Sequence, residues 1–499
     1  MDRIDPHTRT ESPQLTPPCE RTAEQDSDAR PQARSGKEGG SSHDAISFVG
    51  DVGEKLEGPR EIATLGLPMI LLAVVVGFCV GTIVWAALGI SNLLVNLIWH
   101  DLRSIVDVPW FPVAVCTLGG LAIGLWAKAT GTKLESLHEV MAQVKATGGY
   151  HVDSVPKSLV SFILPLAFGG SIGPEAGLTG IIAAACTWIG STLKRAGLKA
   201  KAIADLTLSA SLTAVFGTPF LGIVATAEDG IPNADDYQFR RKTKIVLYTA
   251  AAFGAFGGVT LVSSIPGLIC GLPRFDSMVV STAEYAWFIP LVAAGWLLSL
   301  LFHAANKATE LLGKHLERHV VFAPVLCGLL IGTTAVFLPD VLFAGEEQSS
   351  ELMGTWTTIS AAVLLLTGVF KVAATPLCLH LGWNGGNFFP VIFASISFGY
   401  GMAALTGINP PFCVTVVTTA LMAGVMRKPF VAIALLILCF PLDGVLWIGL
   451  AAVLSSAIPL PKALSPDVSR TPTKTADKSD VGNEAEHEKA SETIAHSSR

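Results

Sequence analysis

Charge is what this chain has least of. Asp, Glu, Lys and Arg make up 15% of its 499 residues, whereas soluble domains carry about a quarter. That shortage excludes a soluble enzyme with a polar skin, and 51% hydrophobic residues exclude a disordered chain. A basic face is missing too. With 34 Lys and Arg against 40 Asp and Glu, nothing points to nucleic-acid binding. The nine cysteines are scattered through apolar runs without a CxxC pair. They read as small buried hydrophobes rather than disulfides or metal ligands. The eleven histidines are equally dispersed, and no HExxH motif occurs. No metal and no cofactor is expected, and the chain is not expected to be an enzyme.

The charge that is present is unevenly placed. Residues 1–61 and 462–499 hold 14 of the basic and 20 of the acidic residues. The stretch 62–461 is neutral and strongly apolar, and mean hydropathy of the whole chain is +0.53. Three regions follow: a disordered polar tail over 1–61, a polytopic membrane domain over 62–461, and a second disordered tail over 462–499. The fold class expected is all-α. Basic loops around Lys128, Lys199, Arg240 and Lys314 place one side in the cytoplasm, and both tails with it.

Several apolar blocks are too short to span. Ser158–Phe168 and Gly173–Leu193 form a pair broken by Gly169, Gly170 and Gly173-Pro174, and a second break lies near residues 382–390. Broken helices expose backbone N–H and C=O groups, which hydrocarbon cannot satisfy. Such breaks in the two halves of a chain point to an ion or substrate site at the membrane midplane.

Three segments carry the chemistry. The first is Gly169-Gly170-Ser171-Ile172-Gly173-Pro174-Glu175-Ala176-Gly177. Pro174 suits a first helical turn, and a helix starting there aims free N–H groups at an anion. The same glycines also suit close helix packing. The second is Leu381-Gly382-Trp383-Asn384-Gly385-Gly386-Asn387-Phe388-Phe389-Pro390, again a glycine-rich break running into an apolar helix. The third is Gly131-Thr132-Lys133-Leu134-Glu135-Ser136-Leu137, where a hydroxyl either caps a helix or also donates to an anion.

In this order the three segments resemble the CLC family of chloride channels and proton/chloride exchangers. Phe370–Leu377 and Phe216–Ile223, the latter ending in Glu228-Asp229, are similar to further family segments. The resemblance covers roughly residues 60–460. It implies two inverted halves with helix starts meeting at the midplane, in a homodimer with one pore per subunit. It also implies a multi-pass protein of the plasma membrane that carries chloride or a similar small anion. Carried over, the anion site consists of Thr132, Ile172, Gly173, Gly386, Asn387 and Phe388, with Asp229 at the family's inner proton position.

Two departures matter. The family's titratable gate glutamate falls at Ile172, and no tyrosine stands at Cys439–Asp443, where the pore tyrosine is expected. Passive anion flux is therefore the first expectation. Proton-coupled exchange through Glu175 and Asp229 is the alternative, and an intramembrane enzyme or sensor is a distant third. Glu175 is expected to cap the start of its own helix. Lys371 is open between a structural ion pair and a group that raises the pore potential.

Overall fold

Apolar helices fill the sequence because long runs of Leu, Val, Ile, Ala and Phe are interrupted only by Gly, Pro and short polar turns. The computed structural model describes residues 43–131, 155–175, 209–216, 241–262, 273–275, 277–278, 280–437 and 439–464. Among them there is no strand, and an isolated bridge joins two glycines described below. The chain divides into residues 1–58 and a larger body from Pro59 onward, and everything below concerns the second.

Helix α1 (His43–Asn96) begins inside the tail expected to be disordered and continues through a π-turn at Leu97–Asp101 into α2 (Leu102–Ile105). Its early start follows the spacing of Ile46, Val49, Val52 and Leu56, which fall near one helical face. Helix α3 (Phe111–Thr130) opens on Pro112 and closes on left-handed Gly131. Helices α4 (Val155–Ala167), α5 (Arg241–Val262), α6 (Thr282–Leu316) and α7 (Phe322–Phe337) follow. Then come α8 (Glu346–Thr355), α9 (Ala361–His380), α10 (Phe388–Thr406), α11 (Pro410–Met426), α12 (Pro429–Leu436) and α13 (Val445–Ala457). Five of these helices are long and apolar enough to cross a membrane. The others are half-spans, as the glycine and proline breaks predict.

Close backbone approach holds the halves together. A β-carbon at Gly120 of α3 would overlap the Pro324 carbonyl of α7, and one at Gly328 of α7 would overlap the Cys116 carbonyl of α3. In a bilayer such small-residue contacts replace the hydrophobic drive of water. The centre is α10 and α11: Phe412–Gly424 are all buried. Polar caps set where helices begin. Ser281 and Glu284 form a capping box at α6, and Glu284 also accepts the Asn409 N–H (3.2 Å), which ties α6 to the start of α11.

Candidate functional site

Both breaks are built by glycine turns locked to neighbouring helices. After α4, Gly169 takes φ +84°, and the Gly170 N–H returns to the Pro165 carbonyl (2.9 Å). Trp99 Nε1 donates to the Ala167 carbonyl (3.1 Å) and holds the end of α4. After α9, Gly382 takes φ +90°. The Trp383 N–H returns to the Cys378 carbonyl (3.0 Å), and its buried Nε1 donates to Pro324 (2.9 Å). Each turn releases an extended strand of backbone into the interior.

The two released segments meet. The Gly173 N–H donates to the Gly386 carbonyl (2.8 Å), and the Gly386 N–H donates to the Gly173 carbonyl (2.7 Å). Two residues on, α10 begins. Its N-cap, Asn387, makes no side-chain cap, so the first N–H groups of α10 need another acceptor. Glu175 supplies it. Its Oε1 accepts the Phe389 N–H at 2.9 Å, and the Phe388 N–H also faces the carboxylate. Its Oε2 is buried without a partner. The carboxylate lies in a notch that exists because Gly173 and Gly386 have no side chains: a β-carbon on either would overlap it. Glu175 itself is 1% exposed.

Ile172, Gly173, Gly386, Asn387 and Phe388 therefore lie together around one point, with Glu175 in the middle. Thr132 and Asp229 lie outside the described residues, as do Lys199 and Arg240 of the basic loops. Ile172 is fully buried and packs against Gly385 and Gly170. Phe388 and Phe389 both meet Phe216, the second as a parallel stack at 5.0 Å. At Cys439–Asp443 no tyrosine stands; Phe440 stacks on Phe275 instead (5.0 Å).

One expectation is corrected. Glu175 does not serve the helix start in its own segment alone; it reaches a helix 214 positions later. The reason is that α10 begins without a side-chain cap, and a buried carboxylate needs N–H donors. Lys371 is resolved as structural. Fully buried, its ammonium donates to the carbonyls of Asp340 (2.8 Å), Leu342 (2.8 Å) and Phe343 (3.0 Å), with Val341 at 3.4 Å. The Phe393 ring lies 4.6 Å from it. Sequence reading missed the Phe389 N–H, which belongs to backbone and leaves no trace in side-chain type. It also missed Ser171, whose buried hydroxyl has no partner.

Chemically, the place is an anion seat made of backbone donors and a helix start, without a cation inside it. No cluster suited to a metal ion occurs among the described residues. The family model for voltage gated chloride channels matches residues 117–459. The chain belongs to the CLC family. Among curated CLC-like relatives, the ion-transport protein YfeO of Escherichia coli O1:K1 is 24% identical over 349 residues, 68% of this chain and 79% of that protein. YfeO of Escherichia fergusonii is also 24% identical, with the same coverage. A crystal structure of a CLC-type fluoride/proton antiporter matches with TM-score 0.61 and 17% identity over 78% of this chain and 95% of that one. A slow cyanobacterial Cl⁻/H⁺ antiporter matches with TM-score 0.61 and 18% identity, over 79% and 94%. The CLC fold is thus shared over most of both chains.

Proposed function

We propose that this chain carries chloride or a similar small anion across the membrane, and that Glu175 competes with the anion for its seat. The observation that carries this is the Glu175 carboxylate on the Phe389 N–H, in the glycine notch. A carboxylate there is a tethered anion. A free anion of similar size satisfies the same donors and the same helix start. The two cannot occupy the notch together, so the anion enters when Glu175 is neutralised or swings away.

Of the two transport modes open from sequence, this favours the proton-coupled one over passive flux. Loss of the gate glutamate at Ile172 is offset by a carboxylate from the next turn that reaches the same backbone. The activities printed for the two solved antiporters support the same reading. A homodimer in the plasma membrane with cytoplasmic tails completes the proposal, resting on the family resemblance and the basic loops. An enzyme or sensor finds no support: the Ser171 hydroxyl has no hydrogen-bonded base.

The test is anion flux from proteoliposomes with pH recorded on both sides. A chloride gradient is expected to move protons uphill, and Glu175→Gln is expected to abolish that movement. Anion flux with no proton movement and no response to pH would return the reading to a passive pore.

A further inference from the structure

A second carboxylate stands beside the first. Glu346 is the first residue of α8, and Glu175 is its charged neighbour. The two differ in access: Glu175 is sealed, whereas Glu346 is half-buried. The turn that delivers Glu346 is unusually constrained. Phe343 takes φ +61° and Gly345 φ +100°. A positive φ on a phenylalanine persists only where its surroundings over-determine it. Those surroundings are present. Lys371 gathers the carbonyls of residues 340–343 onto one ammonium. The Phe343 N–H donates to the Gly169 carbonyl (3.3 Å), in the very break that leads to Glu175. The Phe343 ring packs edge-on against Trp99 (5.1 Å), which itself holds the end of α4. Gly345 sits so close to Phe393 of α10 that a β-carbon would overlap the ring.

One turn is thus pinned to the Glu175 segment on one side and to α9 and α10 on the other. The strain it holds fixes the start of α8, and with it Glu346, against Glu175. Helix-dipole contact does not require this placement. Glu347, next along the same first turn, is exposed and meets that need without it. The other charged groups around the turn are accounted for. Lys371 is committed to the carbonyls, and Asp340 is paired electrostatically with Lys371 and with Glu351.

We propose that Glu346 is the proton donor and acceptor that connects Glu175 to water. This rests on the reading of Glu175 as the anion's competitor. The protonated Glu346 carboxyl gives its proton to the Glu175 carboxylate, directly or through one water. Glu346 becomes the carboxylate and regains a proton from solvent. Neutral Glu175 then leaves the Phe389 N–H to the anion. Run in reverse, the same steps return the proton.

The experiment follows anion efflux from proteoliposomes after a rapid pH jump, in the full chain and in Glu346→Gln, Glu346→Asp, Glu347→Gln and Glu175→Gln. Size-exclusion profiles report folding of each. In the unmodified chain acidification is expected to raise efflux. In Glu346→Gln the onset of that rise is expected to slow by about tenfold or more, since a positioned acid–base group is being removed. Equilibrium anion affinity at a fixed pH is expected to be preserved. Glu346→Asp keeps the carboxyl and is expected to recover most of the rate; Glu347→Gln is expected to change nothing. An unchanged onset in Glu346→Gln, with the response abolished in Glu175→Gln, overturns Glu346 and leaves Glu175 standing. A response intact in both overturns both. Equal slowing by Glu347→Gln makes helix charge the cause and also overturns the proposal. If Glu346→Gln does not fold, Glu346→Asp decides: loss of the response in a folded Asp variant with full anion affinity overturns it, because a carboxyl is still there.

Discussion

Replacing Glu175 by Gln changes one atom's chemistry at almost constant volume. The carboxylate accepts the Phe389 N–H at 2.9 Å. Such a bond to a charged group contributes about 1.5–3 kcal/mol, and a neutral one about 0.5–1.5 kcal/mol. The amide oxygen of Gln can still take the N–H, so the tether weakens by about 1–1.5 kcal/mol rather than vanishing. Because tether and anion compete, the anion gains what the tether loses. Apparent anion binding in Glu175→Gln should tighten by about five- to tenfold. Titration calorimetry with chloride on the purified protein reads this directly. The sign with pH follows from the same competition. Acid neutralises Glu175, so anion binding by the unmodified chain should strengthen as pH falls. In Glu175→Gln it should be flat. Weaker or unchanged binding in the variant, with its pH response intact, would refute the competition.

Three further outcomes are expected. Gly386→Val and Gly173→Val fill the notch that now holds the carboxylate, so each should cut flux sharply; flux unaffected by both would take these segments out of the pathway. Lys371→Met strips an ammonium from a set of buried carbonyls and should cost about 3 kcal/mol or more. A thermal melt in detergent would read that loss, and an unshifted melting temperature would mean that water replaces the ammonium without cost. Trp99→Phe removes the bond to Ala167 at about 1 kcal/mol; the same melt should show a smaller loss, with anion affinity little changed.

The breaks themselves were legible because glycine and proline have few reasons to interrupt an apolar run. Gly169, Gly173, Gly382 and Gly386 mark where helices stop and backbone approaches backbone. The residues of the seat, Ile172 through Glu175 and Gly386 through Phe388, were found for that reason. What each does there was less legible. Glu175 lies beside Pro174, so a local cap is the natural expectation, yet its acceptor oxygen serves α10. No feature of either segment announces that choice, because it depends on how far a side chain reaches across a fold. Lys371 was ambiguous for a related reason. Its partners are carbonyls of a turn 28 to 31 positions earlier, and carbonyls are the same in every residue. Glu346 carried a weak signal, an acidic pair after glycine between two apolar helices, which is also how an ordinary helix begins.

The glycine bridge has a consequence for how the protein is made. Glu175 and its donor on Phe389 are 214 residues apart, and synthesis at roughly 5–20 residues per second separates them by about 10–40 s. Throughout that interval the first half holds an acid with no donor to face and a glycine edge with nothing to pair. A carboxylate in that state is held at the water boundary or kept neutral, not seated. The seat comes into being when the second half arrives and closes both hydrogen bonds of the bridge at once. A chain stopped midway therefore contributes no conducting pathway to the membrane, and the cell is shielded from leakage through unfinished copies.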